Sequence, residues 1–224
     1  MFQAFAHHAG QILGPVASVG LWALAPFLLL PLLILILGQT AQAVALPATQ
    51  LIESVSAFAE RIAQILLLIL LLAVFGTVVM RYIFGWSANW LQEGALFAHG
   101  ISFLLAAPAA LGREAHVRVD VLLSRFSRKG KAWVDVVAFY VFLTPLTLAI
   151  VSVADRFLGL SWSMAERSPE TDGLPGWFLV KTFIPVFAVL LLAQGVAWAS
   201  RAACTIRDIA PAPPRFTPER ERPA

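Results

Sequence analysis

Histidine is the residue type in this sequence that most directly suggests chemistry. His99 lies inside a long uncharged run, residues 94–112, and two histidines that face each other from neighbouring membrane helices can ligate a haem. His7 and His8 lie in the N-terminal stretch and His116 follows the run, so no second histidine shares the depth of His99. We therefore favour a histidine hydrogen-bonded inside a helical bundle and keep a haem ligand as the alternative.

Other signatures of catalysis are missing from the sequence. It has no glycine-rich nucleotide motif, no cysteine and histidine cluster with metal spacing, and no matched set of serine, histidine and acid. The uncharged runs also lack the acidic and basic residues that mark a solute or ion path through a membrane. We therefore expect no reaction, no metal and no cofactor in this chain, and the single Cys204 excludes an intramolecular disulfide.

The elements that must position these residues are membrane helices. Hydrophobic residues make up 59% of the 224-residue chain and charged residues 13%, whereas soluble domains average about a quarter charged. A spanning helix needs about 20 apolar residues. We predict an all-α polytopic transmembrane helical bundle of about five spans, the first near residues 16–37. The runs without Asp, Glu, Lys or Arg are residues 1–52, 62–80, 94–112, 136–154 and 182–200.

The distribution of Lys and Arg predicts the orientation. The loop at residues 113–131 holds six basic residues against two acidic ones, and the stretch after residue 200 adds five arginines. Cytoplasmic loops are enriched in such residues. We therefore place that loop and the C-terminus in the cytoplasm, the balanced region 155–181 outside, and the N-terminus outside after five crossings. Cleavage of the first segment as a signal peptide is the rival interpretation, which its length and lack of a basic start disfavour.

Two connecting segments have the periodicity of interfacial helices. Apolar residues recur every three or four positions at 51–62, with Glu53, Ser56 and Glu60 elsewhere on the helical wheel. We predict a helix that lies on the inner membrane surface there and then turns into the second span. Residues 117–129 mix apolar and basic side chains, which suits anionic headgroups, although an ordinary cytoplasmic loop explains the charges equally well.

Five short motifs resemble, in order and spacing, the small membrane subunit of TRAP transporters, the DctQ-like family. The resemblance covers roughly residues 59–201, and the motifs fall on the boundaries of the predicted spans. They are Met80-Arg81-Tyr82-Ile83-Phe84-Gly85, Trp90 with Glu93, His116-Val117-Arg118-Val119-Asp120, Ser168-Pro169-Glu170-Thr171, and Trp177 followed by Ile184-Pro185-Val186.

The resemblance implies a role in solute import at a bacterial inner membrane. In a TRAP system a soluble extracytoplasmic protein captures a solute, often an organic acid, and a large membrane subunit carries it inward with sodium. The small subunit packs beside the large one as a fixed scaffold and helps to dock the binding protein. The implied partners are the large subunit, the binding protein and membrane lipids, without nucleic acid. Sodium is expected to bind the large subunit rather than this chain.

The matched positions carry specific expectations. Arg81 closes the second predicted span and Glu93 opens the third, so the two could pair across a short outer hairpin. His116 and Asp120 would meet on one face of a helix, because they stand four residues apart. The other matched positions that we take as structural or interface residues are Tyr82, Trp90, Arg118, Ser168, Glu170, Trp177 and Pro185.

The chain departs from the family's pattern in two places. It has the extra span near residues 16–37, and Gln92 stands where the pattern often has another acid beside Glu93. Ser168 and Glu170 precede the last span on the outer side, where a docking protein could touch them. We divide the chain into an N-terminal span and linker at 1–50, a four-span domain at 51–205, and a disordered cytoplasmic tail at 206–224.

Overall fold

The computed structural model describes residues 24–113 and 126–211, which form a bundle of helices. Four helices are long and apolar enough to cross a membrane, and a shorter apolar helix precedes them. The predicted all-α polytopic bundle is confirmed, while the start of the first predicted span and most of the C-terminal tail lie outside the described residues. We number the helices α1 (Leu24–Leu37), α2 (Gln39–Ile83), α3 (Asn89–Gly112), α4 (Arg128–Ser163) and α5 (Trp177–Ile206).

Helix α5 lies at the centre of the bundle and packs against each of the other four helices. Its C-terminal half is deeply buried, and small residues such as Ala197, Ala199 and Ala203 are fully shielded there. Small side chains let helix backbones approach closely, which is how membrane helices gain packing contacts when lipid is as apolar as leucine. The sequence of α5 therefore suits a helix surrounded by protein.

A sharp hairpin joins α1 to α2. Gly38 alone separates the two helices, at φ 65° and ψ −127°, a conformation that residues with a Cβ disfavour. Both helices lie against α5, and Ile34 of α1 is fully buried in this contact. The Tyr140 hydroxyl of α4 also donates to the carbonyl of Leu28 at 2.7 Å. These contacts hold α1 as part of the bundle.

Helix α2 is one unbroken helix of 45 residues, about 67 Å long at 1.5 Å per residue. It contains the predicted second span and also residues 51–62, which we expected to lie flat and then turn. That expectation is wrong, because the helix does not turn and its faces are reversed. Glu53 and Ser56 are buried against the bundle, whereas Leu51 and Phe58 are 66% and 64% exposed.

The lipid environment explains why the polar face of α2 is turned inward. Hydrocarbon cannot hydrogen-bond, so a membrane helix turns its polar side chains towards other helices. The apolar face of α2 is then free to meet lipid or another protein. The buried side of α2 consists of small and polar residues: Ala41, Ala45, Thr49, Glu53, Ser56, Ala59, Ala63 and Ala73.

Helix α4 contains a π-helical turn at Phe139–Leu143. The carbonyl of Phe139 accepts from the Thr144 amide and also from the Thr144 hydroxyl, at 2.9 Å in the latter case. Gly195 of α5 lies opposite, and a Cβ added there would collide with the Leu143 side chain and lie 3.0 Å from the Phe139 ring. A larger residue at 195 would therefore require both side chains to move.

The two ends of the bundle are named here by their connections. The loop end carries the turn at residues 84–88 and the loop at 164–176, and the hairpin end carries Gly38, the ends of α3 and α5, and the start of α4. Asp155 and Arg156 lie within α4, because that helix continues to Ser163. The connecting loop is therefore shorter than the region 155–181 that the sequence suggested.

Candidate functional site

A buried carboxylate organises the loop end. Glu93 lies in the second turn of α3 and is 9% exposed. The Ser168 hydroxyl donates to one of its oxygens, and the amide of Leu174 donates to the other at 2.6 Å. Hydrogen bonds to an ionised acceptor are stronger than those between neutral groups. We call this arrangement of Glu93, Ser168 and Leu174 the loop clasp, because it fixes the 164–176 loop to α3.

The loop itself is folded to present these donors. The Ser168 hydroxyl also accepts from the amide of Glu170 at 3.0 Å, and an isolated antiparallel bridge joins Arg167 to Pro175. Gly173 lies under the clasp, where an added Cβ would collide with Ser168 and approach Glu93 Oε2 to 2.8 Å. Glycine at 173 is therefore a requirement of the close approach between the loop and α3.

A second set of hydrogen bonds caps α3. The residue before the helix, Ala88, has no side chain that could cap it. Asp172 does so instead, since its carboxylate accepts from the amide of Asn89 at 3.2 Å and from the Asn89 side chain at 2.7 Å. Glu170 accepts from the same side-chain amide at 3.4 Å. Carboxylates near a helix N-terminus are stabilised by its exposed amides and its dipole.

An open cleft of about 280 Å³ lies beside the loop clasp. Trp177, at the start of α5, forms one wall and meets Phe97 edge-on with ring centroids 5.2 Å apart. The cleft thus joins three residues that the sequence motifs singled out from distant positions, Glu93, Glu170 and Trp177. It is lined by Asn89, Gln92, Glu93, Leu96, Glu170 and Trp177, and Ser168 lies behind Glu93.

A neighbouring ion pair ties the 164–176 loop to α5. The Lys181 ammonium lies 2.5 Å from Glu166, which also accepts from the Ser161 hydroxyl. The hydrogen bond from Lys181 lowers the pKa of Glu166 below its ordinary value of 4.5, and the Ser161 bond acts in the same direction. Lys181 also lies 4.2 Å from the centre of the Phe157 ring. The 164–176 loop is therefore attached to α3 by the loop clasp and to α5 by this ion pair.

The other matched residues do not join this cluster. The suggested pair between Arg81 and Glu93 does not form, because Glu93 is turned into the loop clasp while Arg81 is exposed at the end of α2. Tyr82 and Trp90 are 81% and 42% exposed. Pro185 is buried within α5. The motif that contains His116, Arg118 and Asp120 lies outside the described residues.

The hairpin end holds two ion pairs that the sequence analysis missed. Glu53 of α2 is 1% exposed and pairs with Arg201 of α5. Glu60 of α2 pairs through both carboxylate oxygens with Arg113 at the end of α3, with one contact of 2.6 Å. A fork-to-fork pair of this kind fixes orientation as well as distance. Ion pairs therefore join α2 to both α3 and α5 at this end.

A buried polar contact extends the same face of α2. The Ser56 hydroxyl donates to Gln194 of α5 at 2.8 Å, and Gln194 is fully buried. Glu53, Ser56 and Glu60 recur at intervals of three and four, so they lie on one side of the helix. That spacing was visible in the sequence, but we assigned the polar side to water instead of to the bundle.

His99 occupies a position that neither sequence interpretation predicted. It lies in α3 but is exposed on the outside of the bundle instead of being hydrogen-bonded within it. Only its backbone is engaged, because the Ser102 hydroxyl donates to the His99 carbonyl at 2.9 Å. The preferred interpretation of an interior histidine is wrong. His7, His8 and His116, the candidates for a second haem ligand, lie outside the described residues.

Comparison with known proteins gives one match. A family model described as the DctQ component of tripartite ATP-independent periplasmic transporters matches residues 70–205, which is more than half of the chain. No curated protein and no solved structure matches it. The matched residues include the loop clasp, together with Arg113 and Arg201 of the hairpin end.

Proposed function

The chain belongs to the DctQ component family of tripartite ATP-independent periplasmic transporters, and we propose that it is the small scaffold subunit of a sodium-coupled importer. In this role it packs beside a large membrane subunit and has no reaction of its own. The observation that carries the proposal is the engagement of three carboxylates that lie between its helices and loops. Glu53, Glu60 and Glu93 are each bonded to groups of this same chain.

A carrier needs polar groups that can leave their hydrogen-bond partners in the protein and bind the solute instead. Transporters place such groups near the middle of the membrane, on broken helices or beside water-filled cavities. In the described part of this chain the carboxylates of Glu53, Glu60 and Glu93 instead connect one helix or loop to another. These contacts support a rigid body against which a moving subunit can work, and they leave transport of the solute and of sodium to the large subunit.

The two ends of the bundle support an orientation in a bacterial inner membrane. The hairpin end carries a cluster of basic residues, which favours the cytoplasm. The loop end carries Glu166, Glu170 and Asp172, and its cleft faces away from the bundle. We place the loop end outside, where the extracytoplasmic binding protein docks. The described basic residues of the hairpin end include Arg113, Arg128, Lys129, Lys131, Arg201 and Arg207.

Reconstitution tests the proposal. The chain is expected to copurify with the large subunit, and liposomes that hold both should take up an organic acid in a sodium-dependent manner when the binding protein is added. Liposomes with this chain alone should take up none. Sodium-driven uptake by the chain alone would overturn the scaffold role. A haem absorption band in the purified chain would instead favour the alternative, a membrane anchor of a respiratory enzyme.

A further inference from the structure

One outward face of α3 carries polar side chains that lipid tails cannot hydrogen-bond. Gln92, Leu96, His99 and Phe103 are spaced by four, three and four residues, so they lie along one side of the helix. Leu96 and Phe103 are 54% and 66% exposed, and Gln92 and His99 are exposed as well. We call this surface the His99 face.

His99 lies inside the third predicted span. It is five residues past the start of the uncharged run at 94–112, or about 7.5 Å along the helix, and it lies one helical turn beyond Leu96, which lines the cleft. A long lysine or arginine side chain can extend to the headgroups from such positions, whereas an imidazole is shorter. Its ring nitrogens include one donor and one acceptor when neutral. Hydrocarbon would leave both without a partner, which is unfavourable.

The outward face of α2 shows what a lipid-facing surface of this chain looks like. Ile65, Leu68, Leu72 and Phe75 are all more than half exposed, and they follow one another at helical spacing without a polar residue. Lipid tails can cover such a surface at no cost. The contrast indicates that the two faces have different neighbours in the assembled protein.

Gly100, beside His99, adds a second reason to expect protein there. A Cβ added at Gly100 would meet no atom of this chain within 4 Å, so packing inside the bundle does not require glycine at this position. Small residues on outward faces of membrane helices allow the backbone of another helix to come close. Close approach also brings a partner's side chain within hydrogen-bonding distance of the imidazole.

We infer that the His99 face is the docking surface for a transmembrane helix of the large subunit, which places a hydroxyl, amide or carboxylate group opposite His99. This inference rests on the proposed function. The large subunit is the membrane partner that the family match implies. A second copy of the chain is the competing occupant, and the cross-linking below distinguishes the two.

Cross-linking identifies the occupant. The full chain is expressed with the large subunit, with Phe103 replaced by the photoreactive p-benzoylphenylalanine, which keeps an aromatic ring at this exposed position. Irradiation is expected to give an adduct with the large subunit. The same replacement at Phe75, on the lipid-facing side of α2, serves as the control and should give lipid adducts. Adducts of Phe103 with a second copy, or with lipid alone, would overturn the inference.

Matched substitutions measure the contact. Gly100→Leu should abolish copurification of the large subunit, whereas Gly159→Leu should not, since Gly159 is also unobstructed but lies on α4. His99→Leu should weaken the complex about threefold to thirtyfold, the range for one hydrogen bond between membrane helices. Full binding by both α3 variants would overturn the inference. If the wild-type chain itself fails to bind the large subunit, the proposed function fails instead.

Discussion

The loop end and the hairpin end of the bundle are fixed by different chemistry and by different parts of the chain. The loop clasp joins Glu93 to a hydroxyl and a backbone amide, and all three residues lie within the family match at 70–205. At the hairpin end, Arg113 and Arg201 lie within the match, but Glu53 and Glu60 precede it.

This difference shows that the matched residues do not form a self-sufficient unit. Arg113 and Arg201, which lie within the matched residues, form their ion pairs with carboxylates of α2 that precede residue 70. The loop end has no such dependence in the described structure. Changes before residue 70 should therefore destabilise the hairpin end while the loop clasp stays intact.

The largest effect is expected at Glu53. Glu53→Met removes a carboxylate that is 1% exposed and leaves Arg201 without its charge partner, so the free energy of unfolding should fall by about 3–5 kcal/mol. The measurement is unfolding of the purified chain in detergent. The double variant with Arg201→Met should recover most of the loss, because it leaves no buried charge unpaired. A single variant as stable as wild type would refute the role of this pair.

A smaller loss is expected at the loop clasp. Glu93→Gln keeps the shape of the side chain but removes its charge, so the bonds from Ser168 and Leu174 lose their ionised acceptor. Unfolding free energy should fall by about 1.5–3 kcal/mol. Proteolysis within residues 164–176 should accelerate, and Gln92→Glu, one position away, serves as the control. If the loop stays as resistant as in wild type, the clasp does not hold it.

A still smaller, pH-dependent effect belongs to Glu166. Lys181 lowers the pKa of this carboxyl in the folded protein, so its contribution to stability is present above the unfolded value and is lost as pH falls through the folded one. Thermal stability of the wild type should therefore drop more steeply below about pH 4.5 than that of Glu166→Gln. Parallel curves for the two proteins would contradict this assignment.

The smallest effect is expected at a surface pair of the hairpin end. Lys129 and Asp208 lie 2.5 Å apart, but their side chains are 52% and 73% exposed. Exposed pairs contribute about 0–1 kcal/mol, so Asp208→Asn should change the unfolding free energy by less than about 0.5 kcal/mol. A loss as large as that at Glu53 would show that exposure is a poor guide to the strength of ion pairs at this end.

The sequence predicted the helices well because an uncharged run of this length has few alternatives in a membrane. Residues 94–112 and 182–200, for example, fall within α3 and α5. It predicted the helix ends poorly, because α2 and α4 continue through charged residues. Glu53 illustrates this: it ends an uncharged run, yet it lies inside a helix and pairs with Arg201.

The candidate site was predicted only in part, for a related reason. The motifs selected Glu93, Ser168 and Trp177, but the contact between Glu93 and Ser168 joins positions 75 residues apart. Local spacing contains no information about such a pair. The error at residues 51–62 had another cause, because periodicity identified the helix correctly while the choice of its inner face assumed an aqueous surface.

The pair between Glu53 and Arg201 also sets an order of events during synthesis. The two residues are 148 positions apart, so at 5–20 residues per second the ribosome makes Arg201 about 7–30 s after Glu53. Glu60 waits a shorter time for Arg113, 53 positions later. Throughout the longer interval the contact between Glu53 and Arg201 cannot form. Insertion of the last helix is therefore the step at which this ion pair joins α2 to α5.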